Sequence, residues 1–319
     1  MCRLAAYLGP AISLQQFLID PPHSLYRQSR EPRELKYAKL NADGFGFGWF
    51  DLAGQPAAYR NSAPIWTDGN LPALARSLYQ SLWLAEVRSA TEGNPVHPLN
   101  TPPFRDARHL FAHNGFISGF HQQVRRRMLQ ELDPAISADI LGNTDSEYLF
   151  ACLRQILADD TDLQPVCAIQ RLYQQIAGMT GDLPALLNLV LVDAGGIYAA
   201  RHALNHPSPT LYYSTSDPGF PSGQLVSSER FSEDAGWREV PEHHVLVLRP
   251  QQPPELLALL VQPDYWIMLQ QERGVIGYPH RWTNTAQCGA AAGIETCLSR
   301  RQGCRNSDPA CIHRFCTHL

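Results

Sequence analysis

Cys2, in the opening Met1-Cys2-Arg3-Leu4, is the residue of this chain with the most chemistry open to it. Loss of Met1 would leave one residue carrying both a thiol and a free α-amine, the nucleophile and base that N-terminal nucleophile catalysis needs. A free thiol titrates at about 8.5 and an α-amine at about 7.7–8.0, so neutral pH supplies some thiolate and some neutral amine. The small side chain at position 2 permits methionine removal. A cysteine there can equally be without a role, so the rest of the chain must supply the other groups such a reaction requires.

The 319 residues are enough for one large domain or two ordinary ones around a buried core. With 44% apolar and 18% charged residues the composition is that of a globular protein, and a formal net charge of −4 offers nothing to nucleic acid. No apolar run approaches the ~20 residues that span a bilayer. No basic segment followed by a long apolar stretch opens the chain, so neither a signal peptide nor a membrane is expected, and the cytoplasm is the expected location. Five of the eight cysteines (Cys288, Cys297, Cys304, Cys311 and Cys316) crowd the C-terminal end. They contain no C-x-x-C pair, which argues against a metal site even with His280, His313 and His318 nearby. Cys152, in an apolar helical pattern, reads as a buried, inert thiol.

Short elements must position the reactive groups. Cys2–Leu8 reads as a strand closing at Gly9-Pro10. Asn41-Ala42-Asp43-Gly44 is a turn, and Phe45-Gly46-Phe47-Gly48-Trp49-Phe50 alternates aromatics with glycine, a strand approached closely by another backbone or a ligand. A hairpin to Gln55–Tyr59 follows, then a helix over Leu71–Leu82 and a strand over Trp83–Val87 that delivers Arg88. His109–Ala112 is a strand running into His113-Asn114-Gly115. Phe120–Leu132, with a solvated basic face at Arg125-Arg126-Arg127, Ser146–Leu157 and Gln164–Met179 have helical spacing. Five strands come next: Leu186–Val192, Ile197–Arg201, Leu211–Ser214, Gln224–Ser227 and His244–Leu248. Helices bracketed by two groups of strands suit a layered α/β arrangement of two sheets with helices outside. Gln251-Gln252-Pro253-Pro254 is a linker signal. It divides a domain over 1–250 from a Cys-rich extension over 251–319. Leu256–Val261 could add one more helix or strand, and from Tyr278 onward poor order is expected.

Cys2, Arg88-Ser89-Ala90-Thr91, His113-Asn114-Gly115 and Thr144-Asp145-Ser146-Glu147 occur in an order that resembles class II glutamine amidotransferases. These are N-terminal nucleophile hydrolases that cleave a γ-glutamyl amide. A further set resembles the branch of that family that hydrolyses a γ-glutamyl intermediate of ergothioneine biosynthesis. It comprises Tyr7-Leu8-Gly9, Asp20-Pro21-Pro22-His23-Ser24-Leu25, Asn41-Ala42-Asp43-Gly44, Ser62-Ala63-Pro64-Ile65-Trp66, Thr101-Pro102-Pro103-Phe104 and Ser228-Glu229-Arg230 with Gly236-Trp237. Each motif is short; the ordered set over residues 1–250 is specific. The resemblance implies the four-layer αββα sandwich of N-terminal nucleophile hydrolases.

It also implies roles. Cys2 would attack the amide carbonyl and form a γ-glutamyl thioester that water hydrolyses, its α-amine moving the proton through a water. Asn114 and Gly115 are the implied oxyanion donors, through a side-chain and a backbone N–H; alone, Asn-Gly is equally a hairpin turn. Arg88 would bind the substrate's α-carboxylate, a task for a planar cation, and Thr91 would orient the same end. Asp145 would hold the α-ammonium; alone, it fits a helix N-cap. Ser89 and Glu92 replace the Trp and His that glutamine-using relatives often carry, which alters the wall facing the leaving group and fits an amine other than ammonia. His97 and His113 are expected to be structural. No cofactor or metal is implied, and the expected partner is a small γ-glutamyl substrate.

Three functions follow from these readings: a stand-alone hydrolase releasing glutamate from γ-glutamyl-hercynylcysteine sulfoxide, a glutaminase subunit supplying ammonia to a separate synthetase, or an inactive relative used as a binding module. Only ~70 residues follow the core, too few for an ordinary synthetase domain, so the second needs a partner protein. The joint presence of nucleophile, oxyanion donors and both substrate anchors disfavours the third. Oligomeric state has no signature here.

Overall fold

The protein's structure is a computed structural model that describes residues 2–34, 40–91 and 93–260. Glu92 and the Cys-rich stretch from 261 onward lie outside the described residues. Among the described residues the strands are β1 (Arg3–Ser13), β2 (Phe45–Phe50), β3 (Pro56–Asn61), β4 (Tyr79–Val87), β5 (Phe104–Arg105), β6 (Leu110–Ile117), β7 (Ala185–Asp193), β8 (Gly196–Arg201), β9 (Ala203–Leu204), β10 (Tyr212–Ser214), β11 (Gln224–Ser227), β12 (Arg238–Glu239), β13 (His244–Leu248) and β14 (Glu255–Ala258). They form two antiparallel sheets. One runs β12-β10-β11-β1-β4-β2-β3; the other runs β14-β13-β8-β7-β6-β5, with β9 paired to β7.

Side-chain alternation explains how the sheets stack. Leu4, Ala6 and Leu8 of β1 face inward with Leu82 and Leu84 of β4, and meet Leu110, Ala112, Val190 and Leu246 of the second sheet. The intervening residues, Ala5 and Tyr7, face outward with Phe45, Phe47 and Trp83, against short helices that include Leu14–Leu18 and Leu71–Ser77. Two long helices, Asp145–Asp159 and Pro165–Thr180, cover the other sheet. Phe150 stacks on Phe111 with centroids 5.1 Å apart, and Tyr173 Oη donates to the Leu187 carbonyl at 2.6 Å. Helix, sheet, sheet, helix is the αββα sandwich that the motif order implies.

Several elements differ from their expected bounds. β1 does not close at Gly9-Pro10; it continues to Ser13 through a register shift between Leu8 and Ile12. Gly9 permits this, since a Cβ there would lie 2.8 Å from the Gly223 backbone. The helix expected over Leu71–Leu82 stops at Ser77, because Tyr79 and Gln80 pair with Ser13 and Ile12 of that extended strand. Phe120–Leu132 opens as a π-turn over Phe120–Val124 before a helix over Arg125–Gln130. Its arginines are not simply solvated: Arg125 Nε donates to Tyr148 Oη at 2.7 Å, and Arg127 Nη1 to the Met179 carbonyl at 2.6 Å. Asn114-Gly115 is no turn but the middle of β6. Past the linker signal the second sheet gains β14, paired to β13 with Glu255 opposite Val247.

The glycines of β2 have a steric cause. A Cβ at Gly46 would stand 2.1 Å from the Pro102 carbonyl oxygen, and one at Gly48 2.9 Å from Leu110 Cδ2. This is the close approach that the aromatic–glycine alternation predicts, and it brings the Thr101–Phe104 segment across the first sheet. Gly46→Ala must push backbone aside, an overpacking cost of about 1–3 kcal/mol. Gly69→Ala, with nothing within 4 Å, serves as the control. Thermal unfolding should show a Tm several degrees lower for the first and unchanged for the second; equal Tm values would contradict this packing.

Candidate active site

Antiparallel pairing of β1 with β4, with Arg3 opposite Val87, puts the start of the chain beside the residue that follows β4, Arg88. Alternation turns Cys2 to the Leu4 side, toward the second sheet. From that sheet β6 contributes Gly115, and the N-terminus of the Asp145–Asp159 helix contributes Asp145. A cavity of about 340 Å³, its open mouth included, is lined by Cys2, Arg88, Thr91, Gly115 and Asp145, with Glu86 among its further walls. Five of the six expected site residues thus share one space.

Cys2 Sγ donates to the Ser89 carbonyl at 3.8 Å. Burial pushes the thiol up to about 12, with the Glu86 carboxylate adding to the rise and the positive chain terminus opposing it. The surroundings therefore favour the protonated thiol.

Arg88 is buried and, among the described residues, its guanidinium is held by backbone carbonyls. Nη1 donates to Asp43 and Pro95, both at 3.3 Å, and Nη2 to Asn94 at 3.5 Å. Neutral carbonyls aim the guanidinium without cancelling its charge, which leaves a carboxylate as its natural partner. The Asn41–Gly44 turn is the brace: Asp43 Oδ2 accepts the Ala90 N–H at 2.8 Å, and Arg88 N donates to the Gly44 carbonyl at 2.8 Å.

Asp145 is the first residue of its helix and not the cap. The cap is Thr144, whose Oγ1 accepts the Glu147 N–H at 3.3 Å. Asp145 Oδ2 accepts the Ile117 N–H and Oδ1 the Ser146 N–H, both at 2.9 Å, so an anion is fixed at a helix N-terminus where the dipole favours it.

β6 has a free edge beside the cavity, because β5 pairs only with Leu110 and Phe111. Leu187, opposite Gly115, sends its N–H to the His202 carbonyl, away from β6. Gly115 therefore occupies a non-hydrogen-bonded position, with its N–H directed off the free edge. Two residues on, the Ile117 N–H reaches Asp145; two residues back, the His113 N–H reaches Glu86. The Gly115 N–H faces the cavity between them. A side chain is impossible there, since a Cβ would fall 1.8 Å from the Leu186 carbonyl oxygen.

Asn114 is the one expected site residue that does not line the cavity. It points to the inter-sheet side of β6, fully buried, with Nδ2 donating to Ser228 Oγ at 3.3 Å. That hydroxyl also accepts the Leu4 N–H at 3.0 Å, so Asn114 braces β1 from behind. His113 is structural: Nε2–H donates to the Leu186 carbonyl and Nδ1 accepts from Ser146 Oγ, both at 2.9 Å, and burial lowers its pKa. His97 Nδ1 accepts the Leu99 N–H at 3.2 Å and caps a short turn.

Two features were not anticipated. Glu86, buried in β4 and lining the cavity, interacts with the Cys2 thiol, while its Oε2 has no hydrogen-bond partner among the described residues. Burial pushes it up to about 8, against the pull of Cys2, Arg88 and the His113 N–H. The signal was a lone carboxylate inside the apolar run Trp83–Val87, two residues before Arg88. The second feature is Arg3, whose Nε donates to Glu229 at 2.6 Å and whose Nη1 donates to the Cys2 carbonyl at 2.9 Å. Glu229 also takes His23 Nε2 and the Arg33 N–H, both at 2.8 Å, and the Glu34 N–H at 3.1 Å. Three motifs far apart in sequence meet in this network, which fixes the backbone at Cys2. Burial alone would raise Glu229, but the His23 hydrogen bond, the Arg3 charge and the two N–H groups hold it down at about 2.

The glutamine amidotransferases class-II family matches residues 29–220, more than half of the chain. The chain belongs to this family. Among curated relatives, the gamma-glutamyl-hercynylcysteine sulfoxide hydrolase of Mycolicibacterium smegmatis is 28% identical over 249 residues, 78% of this chain and 96% of that protein. The protein of the same name from Mycobacterium tuberculosis is 30% identical over 246 residues, 77% of this chain and 92% of its own. Among solved structures, a glutamine aminotransferase class-II domain protein from Silicibacter pomeroyi superposes with a TM-score of 0.59 at 27% identity, covering 81% of this chain and 99% of that one. The glutamine phosphoribosylpyrophosphate amidotransferase of B. subtilis shares the fold, with a TM-score of 0.57 at 13% identity over 82% of this chain and 50% of its own.

Glu229→Gln would leave Arg3 buried without its counter-ion, at a cost of about 3–5 kcal/mol. Because Glu229 is depressed from 4.5 to about 2, its stabilisation is complete above 4.5 and disappears as pH falls toward 2. Urea unfolding should show wild type and variant far apart at pH 7 and converging between pH 4.5 and 2. A gap independent of pH would contradict the assignment.

Proposed function

We propose that the chain hydrolyses a γ-glutamyl amide through a thioester on Cys2, acting in the cytoplasm on γ-glutamyl-hercynylcysteine sulfoxide to give glutamate and hercynylcysteine sulfoxide. One observation carries this: the Arg88 guanidinium, the Asp145 carboxylate and the Cys2 thiol open onto the same cavity. A cation for an α-carboxylate, an anion for an α-ammonium and a sulfur for the γ-carbonyl are together what a γ-glutamyl group demands. Thr91, on the same wall, orients the α-carboxylate end. As sulfur adds to the carbonyl, the oxygen becomes an oxyanion that the Gly115 N–H meets from the β6 edge. Asn114, turned to the inter-sheet side, supports this edge indirectly, its amide donating to Ser228 Oγ behind β1. Collapse expels the amine, and water then releases glutamate from the thioester. The leaving amine is supported by relatives of that name matched along nearly their full length, and by the small Ser89 on the cavity wall.

Cys2→Ala should abolish glutamate release while retaining substrate binding. Arg88→Ala and Asp145→Ala should each lower kcat/KM by well over tenfold, since losing a hydrogen-bonded charge from such a site costs about 2–5 kcal/mol. Blocking the substrate's α-amine should harm wild type more than Asp145→Ala. Glutamate release from the γ-glutamyl sulfoxide and from free glutamine decides the substrate. Equal efficiency on glutamine would replace the hydrolase reading with an ammonia-supplying one, and full turnover by Cys2→Ala would end the mechanism.

A further inference from the structure

We infer that Asn100 is the positioning residue that sets the distance between the two charged anchors, Arg88 and Asp145, and so makes the cavity selective for an acyl group carrying an ammonium and a carboxylate on one carbon. The inference rests on the γ-glutamyl reading and adds to it the residue that couples its two anchors. Arg88 follows β4 of one sheet, whereas Asp145 opens the helix that covers the other, so the anchors belong to different layers. Each is aimed by its own partners, and those partners do not fix how far apart the two stand. Asn100 does. It closes the short Pro98–Asn100 turn, is 4% exposed and lines the cavity. Its Nδ2 donates to the Pro95 carbonyl at 2.9 Å, the same oxygen that accepts Arg88 Nη1 at 3.3 Å. Its Oδ1 accepts the Asn143 N–H at 3.0 Å, two residues before Asp145. One amide thus spans from a holder of the cation to the backbone that leads to the anion.

Both ends of this bridge are fixed. Asn100 N donates to the His97 carbonyl at 2.9 Å, and Thr101 Oγ1 reaches the same carbonyl at 3.0 Å. On the far side, Glu147 of the helix takes the Leu141 N–H at 2.9 Å and the Gly142 N–H at 2.8 Å. With Asn100 on the next N–H, the run that enters the helix is held at each residue. The contact is close: a Cβ at Gly142 would stand 2.4 Å from Asn100 Oδ1. The partners also dictate the residue type. A carbonyl can only accept and an N–H can only donate, so the bridge needs one donor and one acceptor on a single short group. Asp offers Pro95 no donor, Leu offers neither group, and Gln adds a methylene where the Gly142 backbone already presses. An α-amino acid holds its ammonium and carboxylate at a fixed separation. Anchors preset to that separation bind both groups without a further ordering cost.

The test uses the full chain as Asn100→Ala and Asn100→Asp, with amides of one leaving amine, hercynylcysteine sulfoxide. The acyl groups are γ-glutamyl, glutaryl (no α-ammonium), 4-aminobutanoyl (no α-carboxylate) and butanoyl (neither), and kcat and KM for amine release are measured. Wild type should prefer γ-glutamyl to each of the others. Asn100→Ala cuts both ends of the bridge. It should shrink the preference over glutaryl and over 4-aminobutanoyl by about fivefold or more each, mainly through a higher KM for the γ-glutamyl amide. Asn100→Asp keeps the acceptor for Asn143 and sets an anion beside a carbonyl that holds Arg88. It should lose the preference for the α-carboxylate and keep that for the α-ammonium. A loss by one common factor on all four amides would overturn the inference, because a residue that merely supports the fold harms them alike. Preferences within about twofold of wild type in both variants would overturn it too. If neither variant folds, wild type decides. Penalties for the two missing groups that simply add in butanoyl would show independent anchors and overturn it, whereas coupled penalties support it. A wild type that treats all four amides alike would bring down the γ-glutamyl reading itself, a pattern distinct from any change confined to the variants.

Discussion

A chain end frays unless something ties it down, yet Cys2, directly before the first strand, lines the cavity. The solution is to make the first strand a central one. β1 lies between β11 and β4, so both of its edges are hydrogen-bonded and its inward face is covered by the second sheet. Ser228 grips Leu4 at both ends, its Oγ taking the Leu4 N–H and its own N–H donating to the Leu4 carbonyl. Arg3 adds the last tether, holding the Cys2 carbonyl with one nitrogen and Glu229 with another. The thiol is thereby positioned by backbone and buried charge, with no demand on its own side chain.

Placing β1 between two strands and under a second sheet has an electrostatic consequence. Two carboxyl groups flank β1 and are treated in opposite ways. Glu229 receives Arg3, His23 and two backbone N–H groups, and is held far below the ordinary carboxylate range. Glu86 is in no ion pair among the described residues, and burial pushes it above that range against the pull of Cys2, Arg88 and the His113 N–H. The residue types are identical, so environment alone separates the two carboxyl groups.

The fold was more legible in the sequence than the site. Gln224–Ser227 and His244–Leu248 are short segments with continuous apolar runs, and the strands occur at those residues. Where local pattern competed with pairing, pairing won: the apolar spacing at Tyr79–Leu82 fits a helix, but β1 needs that edge filled. Asp145 looked like a cap because any Asp before an apolar helix does; Thr144 one residue earlier takes that place, which leaves the carboxylate to face the cavity. Asn114 and Gly115 were indistinguishable as a pair, yet adjacent strand residues face opposite ways, so only one can line the cavity. Glu86 and Arg3 were hidden for a different reason. Their partners, Cys2 and Glu229, are remote in sequence, and nothing local reveals which charges a sheet will bring together.

Two groups of opposite sign face one cavity and neither is in an ion pair among the described residues: the holders of Arg88 are backbone carbonyls, and those of Asp145 are N–H donors. Under the proposed reading a γ-glutamyl zwitterion would meet both at once and expel water, and loss of that water would strengthen each interaction, since fewer dipoles would be left to screen it. A substrate lacking either α-substituent would leave Arg88 or Asp145 without its counterpart within the same walls, so the two groups would select the glutamyl end jointly rather than one by one.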